Sequence, residues 1–154
     1  MQDADKDFAG VSSDAWDELY AKARAAKSNA WVPYSNFPVG AALLTASGEV
    51  VSGCNVENAS IGATVCAERT AVGNAVCAGD RRFDALCVVT DAEPPAAPCG
   101  ICRQVLAEFG TDLPILMANE RGEREFTTLD DLLPRAFTGL PDEENPHSEG
   151  EGDE

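Results

Sequence analysis

The sequence predicts an α/β domain in which helices cover the faces of a mixed five-stranded sheet. Stretches with helical spacing alternate with short apolar runs typical of strands, and glycine or proline separates them. A chain of 154 residues can bury one substantial core, and no repeat or second domain is visible. We therefore expect one domain over 13–138, between a flexible arm at 1–12 and a disordered acidic tail at 139–154.

The first half of this domain predicts a helix followed by a hairpin. Apolar side chains recur at helical spacing over residues 13–28, and Ser13 is a suitable N-cap. The prolines that follow exclude a helix and indicate a loop that leads into a strand at 39–45. A turn at 46–49 returns the chain as an antiparallel strand at 50–57.

The middle of the chain alternates helix and strand. The alanine-rich apolar run at 66–78 suits a buried helix, and 84–90 suits a central strand. A proline-rich loop at 91–98 then separates that strand from a helix at 100–110.

A second hairpin and a short helix complete the predicted domain. Strands are expected at 114–118 and 123–127, joined by a turn at 119–122. Thr128, with Asp131 three residues later, is typical of a helix start.

The charge balance argues against several classes of partner. The chain carries 27 acidic and 11 basic residues, a net charge of −16. Such a surface repels phosphate backbones and membrane faces, so neither nucleic acid nor a membrane is expected as a partner. The excess of acid has two interpretations. It is an adaptation to concentrated salt, which screens the repulsion, or it reflects an acidic protein with an acidic tail.

The apolar runs are far shorter than the roughly 20 residues that span a bilayer. The N-terminus lacks the basic and apolar regions of a signal peptide, so we expect a cytoplasmic protein. In that compartment the six cysteines are thiols and not disulfides.

Two short motifs carry the chemistry. A C-x-E motif contributes Cys66 and Glu68, and a P-C-x-x-C motif at 98–102 contributes Cys99 and Cys102. Three thiolates hold zinc and leave one position open for water, as in catalytic sites. Zinc lowers the pKa of that water towards about 7, so a hydroxide forms at neutral pH. Glu68 is placed to carry its proton.

Residues near these motifs are candidates to support them. Arg69 and Arg103 can offset the net negative charge of three thiolates around one zinc, and Gln104 lies on the same predicted helix as Arg103. The backbone N–H of Ala67, at a helix start, can bind a substrate base. Asn55 and Glu57 lie two apart on a predicted strand, hence on one face, and suit a diol.

The motifs, together with segments 34–41 and 55–59, make the chain resemble the small homotetrameric cytidine deaminases over about residues 13–137. The C-x-E and P-C-x-x-C pair is the zinc deaminase signature, with cysteine in place of histidine as first ligand. The resemblance implies a three-layer α-β-α fold and one zinc per subunit. It also implies hydrolytic deamination of cytidine and 2′-deoxycytidine in pyrimidine salvage, with release of ammonia.

The same resemblance implies roles for individual residues. In that family the pair corresponding to Asn55 and Glu57 hydrogen-bonds the ribose, and Phe37 resembles the aromatic residue that packs on the nucleoside. Phe137 resembles an aromatic residue that reaches in from a neighbouring subunit. The sequence departs from the family at Ile61, where a tyrosine often contributes across a subunit boundary.

Two other interpretations stay open. A deaminase of another amine, such as a cytosine-bearing antibiotic or a base in a polynucleotide, would use the same zinc motif. The Asn55 and Glu57 pair and the acidic surface favour a free nucleoside instead. In the second interpretation the protein is a binding module and not an enzyme, and Cys54 or Cys87 completes a four-cysteine structural zinc site. Cys54, Cys77 and Cys87 all lack the spacing of metal ligands, so each is expected to be a small buried side chain.

Overall fold

A mixed five-stranded sheet lies at the centre of the computed structural model, which describes residues 7–139. Its strands are β1 Gly40–Thr45, β2 Val50–Cys54, β3 Phe83–Thr90, β4 Pro114–Asn119 and β5 Arg124–Thr128. Their order is β2-β1-β3-β4-β5; β3 and β4 are parallel, and the other neighbours are antiparallel. The predicted mixed sheet is therefore confirmed.

Helices cover both faces of this sheet. They are α1 Ser13–Lys27, α2 Ala67–Cys77, α3 Gly100–Ala107 and α4 Leu129–Leu132, with a 3₁₀ helix at Ile61–Ala63. Successive side chains of a strand point to opposite faces, so Ala42 packs in the cluster under α1 while Leu43 packs in the cluster under α2 and α3. The result is three layers, α-β-α.

Helix α1 forms because its apolar residues fall on one stripe. Trp16, Leu19 and Ala23 are buried against the sheet. The Ser12 hydroxyl caps the helix by accepting a hydrogen bond from the Ala15 amide at 3.2 Å. The N-cap is thus Ser12, one residue before the predicted Ser13.

Residues 7–12 pack on the domain, although the sequence places them in a loose arm. Phe8 and Val11 exchange two backbone hydrogen bonds, and Val11 is buried. The Phe8 ring lies 4.8 Å from the Phe126 ring and 6.3 Å from that of Trp16, centroid to centroid. Packing of Phe8 and Val11, with a hydrogen bond from the Ser13 amide to the Asp7 carboxylate at 3.0 Å, therefore holds this segment on the domain. The rest of the predicted arm, and the predicted tail beyond residue 139, lie outside the described residues.

Strand β2 ends at Cys54, earlier than predicted. The backbone amide of Asn55 donates to the Val39 carbonyl at 3.2 Å, and its carbonyl accepts from Trp31 at 3.0 Å. Val56 pairs with Val65 instead of continuing the sheet. Residues 55–57 therefore leave the sheet, and the pairing of Val56 with Val65 brings them next to the start of α2.

Two glycines let helices approach the sheet closely. A Cβ on Gly53 would lie 2.4 Å from the Ala71 nitrogen in α2, and one on Gly40 would lie 1.8 Å from the Ala23 carbonyl oxygen in α1. Both distances are too short for any side chain. The position of α2 on the sheet depends on the contact at Gly53, and the first turn of α2 contributes to the site described below.

The three cysteines without ligand spacing differ in burial. Cys87 is buried in β3 and Cys54 is half-buried, but Cys77 is exposed at the end of α2, against expectation. Within residues 7–139, no helix has the length and apolar character needed to cross a membrane.

Candidate active site

Three cysteine sulfurs converge where α2 and α3 begin. Cys66 is the N-cap of α2, Cys99 is the N-cap of α3, and Cys102 lies in the first turn of α3. The sulfur of Cys99 is 3.8 Å from that of Cys66 and 3.4 Å from that of Cys102, and all three lie within 4.8 Å of one another. The partial positive charge of two helix N-termini favours thiolates here.

This geometry fits zinc. A tetrahedral site with Zn–S bonds of about 2.3 Å requires sulfurs about 3.8 Å apart. In the part of the chain that the structure describes, these cysteines are the one group of three or more potential ligand side chains that lie close together. Cys87 instead packs in the cluster under α1, on the other face of the sheet. The arrangement supports a three-cysteine site and not the closed four-cysteine alternative.

Arg69 contacts the first of these cysteines. Its Nη2 lies 3.4 Å from the sulfur of Cys66 and 3.4 Å from the Thr64 carbonyl oxygen. Hydrogen bonds to Cys66 from the Cys102 thiol and then from Arg69 outweigh partial burial and lower the pKa of Cys66 to about 5. Because the Cys102 thiol donates the hydrogen bond to Cys66, the same bond raises the pKa of Cys102. Before metal binds, Cys66 is thus the preferred thiolate.

Glu68 is a buried carboxyl group beside the sulfurs. It lies in the first turn of α2 and is 4% exposed. Burial is the main cause that raises the pKa of Glu68. A buried carboxyl group with a raised pKa holds a proton more readily than an exposed one, which suits a group that must carry protons.

A cavity of about 290 Å³ opens next to the cysteines, close to the lower end of ligand-site volumes. Cys66, Cys99 and Glu68 line its floor, and Phe37 lines it from the loop before β1. A larger cavity of about 660 Å³ lies at the opposite end of the sheet, near Leu44, Phe83 and Pro114, away from the cysteines. The smaller cavity is therefore the candidate active site, because it contains the cysteines and Glu68.

Asn55 and Glu57 both line this cavity, but for a different reason than predicted. They lie beyond the end of β2, so no strand places them on one face. The Asn55 side chain accepts from the Val39 amide and donates to the Phe37 carbonyl, both at 2.9 Å. It therefore fixes the loop that carries Phe37.

Glu57 holds the same loop. Its carboxylate accepts hydrogen bonds from the amides of Tyr34 at 3.0 Å and Ser35 at 3.1 Å, and from the Ser35 hydroxyl. The Ser35 hydroxyl bond is the main cause that lowers the pKa of Glu57. Ser35 also accepts from the Phe37 amide at 3.0 Å and lines the cavity. Sequence reasoning missed Ser35, whose only signal is its place two residues before Phe37.

Arg103 and Gln104 do not reach the sulfurs. Arg103 donates to the backbone carbonyls of Pro98 at 2.8 Å and Leu132 at 2.7 Å, so it ties the end of α4 to the residue before Cys99. Arg103 was predicted to offset the charge of the thiolates, but in the structure its guanidinium group binds backbone carbonyls instead. Gln104 donates to the Phe137 carbonyl at 2.8 Å. Phe137 itself is 63% exposed and does not line the cavity in a single chain.

Comparisons with known proteins agree with this site. The family model for the "Cytidine and deoxycytidylate deaminase zinc-binding region" matches residues 14–117. The chain is 50% identical over 123 residues to the cytidine deaminase of Sporosarcina psychrophila, covering 79% of this chain and 90% of that protein. It is 35% identical over 109 residues to the blasticidin-S deaminase of Bacillus cereus, covering 65% of this chain and 76% of that protein.

Solved structures agree as well. The crystal structure of the cytidine deaminase from Burkholderia pseudomallei superposes with a TM-score of 0.76 at 50% identity, covering 79% of this chain and 98% of that one. That of the Mycobacterium tuberculosis cytidine deaminase gives a TM-score of 0.68 at 45% identity, covering 81% and 98%. The fold and the sequence of the chain thus both match cytidine deaminases.

Proposed function

Because the chain belongs to the zinc-binding cytidine and deoxycytidylate deaminase family, we propose that it hydrolyses cytidine and 2′-deoxycytidine to uridine and 2′-deoxyuridine. Water adds its oxygen to the ring carbon, the C–N bond breaks, and ammonia leaves. The observation that carries this proposal is the convergence of Cys66, Cys99, Cys102 and the buried Glu68 on one cavity. Zinc, when bound there, supplies the Lewis acidity that makes water nucleophilic at neutral pH.

Glu68 moves the protons of the reaction. Its carboxylate accepts one proton from the attacking water and passes it to the ring nitrogen; it then takes the remaining proton of the added hydroxyl group and gives it to the departing amine. A group with this task must hold its proton inside the site, which its burial favours. The Ala67 N–H lies at the start of α2, where a backbone N–H has no partner within the helix, and in this proposal it binds the base.

Asn55, Glu57 and Phe37 bind the nucleoside in this proposal. The Glu57 carboxylate has lone pairs beyond those used by the loop and can accept from a sugar hydroxyl. Phe37 is 40% exposed, so one side of its ring is free to pack against a ligand.

The charge of the cavity favours an uncharged nucleoside over a phosphorylated one. Glu57 and Glu68 both line it, whereas within residues 7–139 no lysine or arginine does. A phosphate group would meet carboxylates without a compensating cation. This argues against nucleotides and polynucleotides as substrates.

Assembly into a homotetramer is also part of the proposal. Several large apolar side chains are more than half exposed in one chain: Trp31, Tyr34, Ile61, Ile101 and Phe137. Exposed apolar groups of this size are typical of protein interfaces. The Gln104 bond to the Phe137 carbonyl holds the backbone at this position, and the exposed Phe137 ring can contact a neighbouring subunit. Thiolate ligands require reducing conditions, which supports a cytoplasmic location.

An ultraviolet assay of purified protein tests the activity. Cytidine and 2′-deoxycytidine should be converted to the uridines with equimolar ammonia, whereas cytidine 5′-monophosphate and blasticidin S should not. Glu68→Gln serves as the matched control, because it keeps the shape of the side chain without the acid. Turnover of blasticidin S but not cytidine would overturn the proposal.

A further inference from the structure

A buried lysine lies on the other side of the sheet from α2 and α3. Lys27 is the last residue of α1, where the helix dipole favours a cation, yet its side chain is only 8% exposed. Its Nζ donates to Asp91 at 2.6 Å and to Glu120 at 3.0 Å. Burying an ammonium group is costly unless it is paired in this way. The chemistry proposed above makes no use of it.

Asp91 is the first residue of the segment that joins β3 to the metal site. This segment, residues 91–98, carries Ala96 and Ala97, which line the active-site cavity, and it leads directly into Cys99. Lys27 therefore holds the beginning of a stretch whose other end is a metal ligand.

Asn119 holds the same segment beside Lys27. Its side chain is 1% exposed and donates to the Ala92 carbonyl at 3.1 Å, while its oxygen accepts from the amides of Arg121 and Glu123 at 3.1 Å. The Ala92 amide in turn donates to the Thr90 hydroxyl at 3.1 Å. Asp91 and Ala92, the first two residues of the segment, are thus held by the buried side chains of Lys27, Asn119 and Thr90.

We propose that Lys27 is a positioning residue of the active site: through Asp91 it fixes segment 91–98 and thereby the placement of Cys99 and of the cavity wall at Ala96 and Ala97. The proposal rests on the deaminase function proposed above, since it assigns Lys27 to that same site. It acts through the segment and not on the substrate, because Lys27 does not line the cavity.

The competing explanation is that Lys27 only fastens α1 to the sheet. Arg24 offers the same kind of contact, since its Nε lies 2.6 Å from Glu120, but it is exposed. Asp17 gives a better comparison. It joins α1 to Arg124 of β5 at 2.7 Å and has no contact with segment 91–98. Loss of that ion pair weakens the same helix without touching the site.

The experiment compares Lys27→Met, Lys27→Arg, Asp91→Asn and the control Asp17→Asn in the full chain. Zinc affinity is measured on metal-free protein by competition with a chelator, and hydrogen exchange is followed in residues 91–99. We expect Lys27→Met and Asp91→Asn to lose about tenfold in zinc affinity, as for outer-shell changes at metal sites. Exchange in 91–99 should accelerate, and KM for cytidine should rise more than kcat falls. Lys27→Arg should retain most of the wild-type values.

Wild-type zinc affinity and exchange in both Lys27→Met and Asp91→Asn would overturn the proposal, as would equal effects in Asp17→Asn. If Lys27→Met does not fold, Asp91→Asn decides alone, because Asp91 is half exposed and Lys27 keeps Glu120 as a partner. Zinc affinity and exchange do not depend on cytidine turnover. An inactive wild-type protein would therefore contradict the proposed function without deciding the role of Lys27.

Discussion

The guanidinium group of Arg69 lies 3.4 Å from the sulfur of Cys66, one helical turn along α2. Residues three apart share a face of a helix, so the cation follows directly from the position of the ligand. Three thiolates around one divalent zinc carry a net negative charge, which this cation offsets. Arg69 therefore supports the ligand set without belonging to it.

Arg69→Gln should weaken zinc binding by about 10- to 100-fold, because the thiolate charge loses its nearest cation. Chelator competition on the purified variant measures this loss. Arg81→Gln is the control, since Arg81 donates to the Gly79 carbonyl just beyond the C-terminal end of α2, away from the cysteines. Equal affinity in the wild type and Arg69→Gln would remove Arg69 from the site.

Glu68→Gln should keep zinc and fold but lose about 10²- to 10⁴-fold in kcat, because an amide cannot relay protons. Single-turnover kinetics and zinc content, measured on the same sample, check both statements. A variant with near wild-type kcat would show that another group carries the protons.

Glu57→Ala should raise KM for cytidine far more than it changes any activity on the free base cytosine. The carboxylate holds the loop of Ser35 and is placed to accept from a sugar hydroxyl, and cytosine has no sugar. Ser35→Ala separates the two roles, since it loosens the loop while the carboxylate remains. Equal losses on nucleoside and base would show that Glu57 serves the loop alone.

Glu120 should make stability depend on pH in acid. Its hydrogen bond from Lys27 is the main cause that lowers the pKa of Glu120 in the folded protein. A lowered folded-state pKa contributes stability above the unfolded-state pKa of about 4.5, and that stability is lost as pH falls through the folded-state value. The wild type should therefore be more stable than Glu120→Gln near neutral pH and equal to it in strong acid. Urea unfolding from about pH 7 down to about pH 3 measures the difference.

Stability and assembly should increase with salt. The net charge of −16 on each chain is multiplied when subunits associate. The Debye length falls from about 10 Å at 0.1 M salt to about 3 Å at 1 M, which suppresses repulsion between exposed carboxylates. Sedimentation and activity measured from about 0.1 to about 3 M KCl should rise together. An assembly that is intact and fully active at the lowest salt would mean that the acidic surface serves solubility alone.

The sequence predicts the parts of this molecule that depend on local spacing. The ligand motifs identify Cys66, Cys99 and Cys102. The spacing of apolar residues identifies the strands of the sheet and the helices that pack on it. Arg103 was misassigned because adjacency to Cys102 says nothing of direction: neighbours on a helix point about 100° apart. Arg69, three residues from its cysteine, does face it.

Other features depend on contacts between distant segments. The early end of β2 follows from backbone bonds of Asn55 to Trp31 and Val39, which no local pattern predicts. The packing of Phe8 requires Phe126, more than a hundred residues away in the chain. The role of Ser35 similarly emerges only when Glu57 folds back onto its loop.

Cys66 and Cys99 are the N-caps of α2 and α3, and neither cysteine side chain makes a capping hydrogen bond. A serine or aspartate at either position would typically stabilise a helix start by about 1 kcal/mol. In the metal-free protein, selection for stability alone would thus favour replacing these two ligands. These two positions are where the chain gives up stability for activity, so a search for thermostable variants must exclude them.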